Sequence, residues 1–197
     1  PVQGMVAKLP VLSGKTKTVS IMTHGFHPYL SAWSPFHGAQ YAIALSIAKL
    51  VALGGDRTKA YLTMQEYFER LHQNSLSWGK PAAALLGAYT AQKALGIGAI
   101  GGKDSMSGTF MDKTVPPTLV SFAVTTEDID TIVSPDLKEA GHQLLLFTVP
   151  QKTDDTINWA VFKSHCDTIH KEMLAKRVYA SYVLENGGLA EALVKMA

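Results

Sequence analysis

The stretch "IGGKDSMSGTF", Ile100–Phe110, gathers three glycines, a lysine, an aspartate, two serines and a threonine between apolar segments. Gly101 and Gly102 leave room for a phosphate to approach the backbone, Lys103 supplies a point charge, and Ser105, Ser107 and Thr109 supply hydroxyls. Asp104 is the residue type that holds a magnesium ion bridging phosphate oxygens. The run fits neither the Walker spacing nor the Rossmann spacing, so taken alone it reads as an ordinary structural loop sooner than as a phosphate cradle.

A second group is histidine. His24, His27 and His37 lie in and after one strand-to-helix connection, where they would converge on a cleft at the strand's end. There an imidazole can be a base, a ligand or a substrate donor; loop architecture and helix capping account for the same residues. No cysteine or carboxylate accompanies them at metal-ligand spacing, so no metal site is expected from them. The third feature is an absence. Ala42–Leu53, "AIALSIAKLVAL", contains no acidic residue, and Lys49 is its only charge, whereas a site that uses ATP needs carboxylates to hold magnesium. Cys166, the one cysteine, reads as a small buried apolar residue.

These residues need elements to position them. "KTKTVSIMTHG", Lys15 to Gly25, reads as a strand, and "FHPYLSAWSPFHG" as a loop broken by prolines and serines. Ser34-Pro35 has the form of a helix N-cap followed by proline, opening a helix that is apolar on nearly all sides and stops at Gly54-Gly55. Thr58 to Met64 reads as a second strand, "QEYFERLHQ" as a short amphipathic helix, and Ser77 to Gly96 as a longer helix with Pro81 near its start. Pro116 to Asp128 is a further strand. The polar, turn-rich Thr131 to Gly141 marks a boundary between residues 1–130 and 131–197. Beyond it, a strand "HQLLLFTV", a helix from about Thr156 to Arg177, a strand "VYASYV" and a final helix form a β-α-β-α series. The expected fold class is α+β, a mixed sheet covered by helices.

With 47% hydrophobic and 17% charged residues the chain of 197 residues is of globular composition, and its net charge of +2 is scattered, without the basic stripe of a nucleic-acid binder. No run of about 18 apolar residues and no signal peptide is visible, and a single cysteine suits a reducing cytoplasm. The start at Pro1 and the stop at Ala197, inside an alanine-rich helical run, are those expected of a piece of a longer polypeptide.

Taken together, "GIGAIGGKDSMSGTF", "LSAWSPFHGAQYAIALSIAKLVALGGD", "YLTMQEYFERL", "WGKPAAALLGAYTAQKALG", "VPPTLVSFAV" and "ENGGLAEALVKMA" resemble phosphoribosylformylglycinamidine synthase. The resemblance implies a ligase of purine biosynthesis that uses ATP, magnesium and glutamine to convert formylglycinamide ribonucleotide to the amidine. It implies two similar halves, each an aminoimidazole-ribotide-synthase-like pair of domains, followed by a glutaminase domain. This chain resembles the second half, with its first domain at 1–130 and a truncated second domain at 131–197.

The carry-over of site residues is partial. "THGFHP" is similar to the Thr-His-Asn-His-Pro loop of the catalytic half, with Met22 standing where that half has a glutamate before the threonine. The glutamate and asparagine that hold a structural nucleotide through magnesium are here Ile43 with Ile47, or Ala44 with Ala48, and the late Asp-Gly-Gly is Asn186-Gly187-Gly188. The resemblance therefore implies a nucleotide site short of metal ligands, in a non-catalytic half that is inactive by itself. Vestigial nucleotide contacts would fall to Gly101, Gly102, Lys103, Asp104, Ser105, Ser107, His24, His27 and His37. The alternatives are a domain that still binds ATP and magnesium through Asp104, and part of a related small-molecule kinase. The implied partners are the catalytic half and the glutaminase domain; alone, the chain is expected to self-associate through an apolar sheet face.

Overall fold

A computed structural model describes residues 2–197. Alternating burial along Thr18–Gly25 and Thr118–Asp128 builds the centre of a five-stranded mixed sheet. Its strands are β1 (Gly4–Lys8), β2 (Thr18–Gly25), β3 (Tyr61–Tyr67), β4 (Ala99–Ser105) and β7 (Thr118–Asp128), in the order β1-β2-β7-β3-β4. All neighbours are antiparallel except β3 and β4, which run parallel. A small hairpin of β5 (Thr109–Phe110) and β6 (Lys113–Thr114) follows β4.

One face of the sheet carries Val19, Ile21, Leu62, Leu119 and Ala123, and the helix α2 (Pro35–Ala52) lies on it. The α2 residues Ala39, Ala42, Ile43, Ile47 and Leu50 are buried, as a helix apolar on nearly all sides requires. Close approach is permitted by Gly25, where an added Cβ would sit 2.1 Å from the Ala42 carbonyl oxygen and 2.6 Å from the Ser46 amide. Two hydrogen bonds fix the register: Thr23 Oγ1 donates to the Ser46 carbonyl at 2.6 Å, and the Ser46 and Ser121 hydroxyls meet at 2.9 Å. The helix α3 (Ser75–Leu95) packs on α2, with Gly87 against the Phe36 carbonyl, and Gly96 ends it at φ +72°.

The opposite face is more open among the described residues. By register it presents Met5 and Met22, His24 and Phe122, Tyr61, Tyr67 and Lys103, of which both methionines and both tyrosines are exposed.

Several expectations are corrected. Residues 26–38 are not a continuous loop: Pro28–Trp33 form a short helix α1, because proline is tolerated in a first turn and His27 Nδ1 caps it by accepting from the Leu30 amide at 3.2 Å. The second strand starts at Tyr61, after a 3-10 turn over Arg57–Lys59, and continues to Tyr67. The helix expected over 65–73 is therefore absent, because Gln65, Glu66 and Tyr67 are paired by strands on both sides, and that pairing overrides the local pattern. Ala99–Ser105 is an edge strand rather than a loop. Residues 142–149 and 178–183 belong to no ladder, since neither finds a strand to pair with. They do approach each other: His142 and Tyr179 stack at 4.5 Å.

The helices α4 (Trp159–Leu174) and α5 (Gly188–Met196) stand where expected. Trp159, Phe162 and Cys166 join the core, and Arg57 makes two 2.7 Å bonds to Asp167. Burial pushes the Cys166 thiol up to about 12, so it packs as an inert neutral group. No helix among the described residues is long and apolar enough to cross a membrane.

Candidate functional site

The glycine run is split by strand geometry. In register with β3, Lys103 pairs with Gln65 and Ser105 with Tyr67, whereas Gly102 pairs with Met64 and Asp104 with Glu66. Successive side chains point to opposite faces, so Lys103 and Ser105 belong to the open face and Asp104 to the face that carries α2. The phosphate-type donors and the candidate metal ligand are thus not one cluster. Ser105 and Ser107 stay together, with hydroxyls 3.3 Å apart, and Lys103 Nζ donates to the Asp104 carbonyl at 3.2 Å. Thr109 is structural: its hydroxyl accepts from the Arg70 amide at 2.9 Å.

Beside Asp104 lies a group that the sequence did not single out. Glu66 is buried, and its Oε1 has no hydrogen-bond partner. Burial, reinforced by the Asp104 charge, pushes its carboxyl up to about 7. The signal was hidden because 65–73 has the pattern of an amphipathic helix; as a strand, the same residues put Glu66 inward.

The three histidines have separate duties. His27 caps α1. His37, in the first turn of α2, joins the Ser34 hydroxyl at 2.8 Å through Nδ1 and the Asp154 carbonyl at 2.9 Å through Nε2, so it ties the helix start to a distant loop. His24 lines a cavity, with its ring 6.5 Å from Phe122.

That cavity, of about 480 Å³, is lined among others by Gln3, Met22, His24, Lys49, Phe122 and Glu185. Met22 occupies it where the resemblance implies a glutamate. Lys49, 3% exposed, projects from the apolar helix and places Nζ 2.7 Å from Glu185 Oε1, while Gln3 Nε2 donates to Glu185 Oε2 at 3.0 Å. Burial alone would raise the Glu185 carboxyl, but the Lys49 hydrogen bond and charge, aided by Gln3 and Lys195, hold it below the ordinary carboxylate range. Ile43 and Ile47 are fully buried. No group of three histidine, cysteine or carboxylate residues that could hold a metal exists among the described residues.

The mixed five-stranded sheet carrying α2 and α3, with α4 and α5 following, is an aminoimidazole-ribotide-synthase-like fold. Solved structures it is similar to include synthase chains of Thermotoga maritima. Phosphoribosylformylglycinamidine synthase II superposes with a TM-score of 0.67 at 14% identity, over 98% of this chain and 30% of that one. The PurL structure complexed with ADP gives 0.66 at 15% identity, over 91% and 29%, and the one complexed with AMPPCP gives 0.57 at 17%, over 68% and 22%. The chain thus spans less than a third of the length of each. No family model matches the sequence, and no curated protein matches it in sequence.

Proposed function

We propose that this chain is a non-catalytic half of a phosphoribosylformylglycinamidine-synthase-type ligase, consisting of a first domain at 1–130 and the start of a second at 131–197. The observation that carries this reading is the cavity end where Met22 and Lys49 stand. A magnesium nucleotide needs free carboxylates there, and the chain offers a thioether and a single carboxylate, Glu185, already neutralised by the Lys49 ammonium. The shared fold and the "GGKDSMSG" signature support the family; the absent ligands support the loss of chemistry. Lys103, Ser105 and Ser107 keep the donors for a weak phosphate contact on the open face.

In this reading the working reaction belongs to a catalytic synthase half that takes ATP and magnesium, fed with ammonia by a glutaminase domain, in the cytoplasm. This half serves as its structural partner. Calorimetric titration with ATP and magnesium tests the proposal. The expected result is no magnesium-dependent binding in the micromolar range; micromolar binding that Asp104→Ala abolishes would establish the alternative, a domain that still takes part in turnover.

The exposed part of the sheet face opposite α2 has a role in the same reading, as the surface that meets the sibling half. Met5, Met22 and Phe122 form its apolar centre. The chain alone is expected to dimerise as concentration rises, and Met22→Arg to shift that midpoint at least about tenfold, because it would bury an unpaired charge. Light scattering across a concentration series checks this, and a wild-type chain that stays monomeric throughout would contradict it.

A further inference from the structure

Lys49 is the single charge on α2, and its side chain is almost wholly buried. A lone ammonium in that position would be strongly unfavourable, so its partner defines its purpose. The partner is Glu185, which lies beyond α4 in sequence, just before α5, with one oxygen on Lys49 and the other on Gln3. Gln3 in turn exchanges two backbone bonds with Val183, donating to its carbonyl at 2.8 Å and accepting from its amide at 2.7 Å. One buried cation thus gathers the N-terminal segment, the long core helix and the segment 183–185 at the polar end of a cavity. Lys195, which also lines the cavity, is engaged by Glu191.

We propose that Lys49 is an internal counter-ion that does here what a bound divalent cation does in a metal-dependent nucleotide site. It neutralises the carboxylate facing the cavity and pins residues 183–185 against α2. This assignment deepens the metal-free reading above and rests on it: a site whose positive charge is covalently part of the chain has no use for magnesium at that place.

Hydrogen exchange on the whole chain tests the assignment. Glu185→Gln and Lys49→Ala are both expected to speed exchange of amides 178–187 by about tenfold while leaving β7 within about twofold, since only the local docking is loosened. Millimolar magnesium or EDTA leaves the wild type unchanged. Ethylammonium, which can enter the space vacated in Lys49→Ala, restores slow exchange in that variant, and tetraethylammonium at equal ionic strength does not; a purely structural lysine would show no such rescue.

Unchanged exchange in both variants, failure of ethylammonium to act, or slowing of wild-type exchange by magnesium would each overturn the proposal. Magnesium-ATP binding that depends on Asp104, with the exchange pattern as expected, would instead remove the non-catalytic reading and leave Lys49 as the counter-ion.

Discussion

Gly25→Ala is expected to destabilise the chain by about 3 kcal/mol, an overpacking effect at the upper end of its usual range. A glycine-to-alanine change at an ordinary position stabilises by about 0.4–1 kcal/mol through the unfolded chain, so the sign alone is diagnostic. The cost here is steric rather than conformational. The new methyl would fall 2.1 Å from the Ala42 carbonyl oxygen and 2.6 Å from the Ser46 amide, both in the interior of a helix whose backbone cannot yield locally. Relief requires lifting α2 from the sheet, which strains the Thr23–Ser46 and Ser46–Ser121 hydrogen bonds. Urea unfolding of the two proteins at equal concentration measures the difference, and a change below about 0.5 kcal/mol would mean that α2 does not sit where it is placed here.

The second large effect is a pH dependence. The Glu66 carboxyl has a folded-state value of about 7 against an unfolded value of 4.5. Because the folded value is the higher, the neutral acid favours the fold. That stability is fully present below 4.5 and is lost as pH rises through 7. At 1.36 kcal/mol per pKa unit, the loss between pH 4.5 and pH 8 reaches up to about 3 kcal/mol from this group. Glu66→Gln keeps the shape and stays neutral, so its stability is expected to be flat over that window apart from the other titrating groups, and higher than wild type at pH 8. Thermal or urea unfolding at pH 5, 6.5 and 8 reads this out; parallel profiles for the two proteins would show that Glu66 is not buried.

Much of the fold was legible from local chemistry. Ser34-Pro35 set the start of α2 and Gly96 the end of α3, because capping and a left-handed stop are decided by one or two residues. The strand ending at Asp128 was legible from its alternation. What failed was decided by distant partners. Glu66 and Tyr67 have a helical pattern and became strand because β7 and β4 flank them, and the glycine run became an edge strand because β3 offered it a ladder. Pro28 reads as a breaker and instead opens a helix, since its effect depends on which turn it occupies.

The candidate site was legible in outline and not in arrangement. The lack of carboxylates on α2 and the oddity of Lys49 were visible in the sequence, and both are central to the cavity. That Lys103 and Asp104 part to opposite faces follows from strand periodicity, which applies only once the run is known to be a strand. The partnership of Lys49 with Glu185 joins residues far apart in sequence, and no spacing rule reaches that distance.

If this chain is the proposed non-catalytic half, it holds no divalent metal, and manganese binding measures that. In an electron paramagnetic resonance titration of the chain with manganese, with and without ATP, the expected result is no protein-bound ion beyond the metal chelated by ATP itself. One tightly bound manganese per chain, displaced by magnesium and lost in Asp104→Ala, would contradict it.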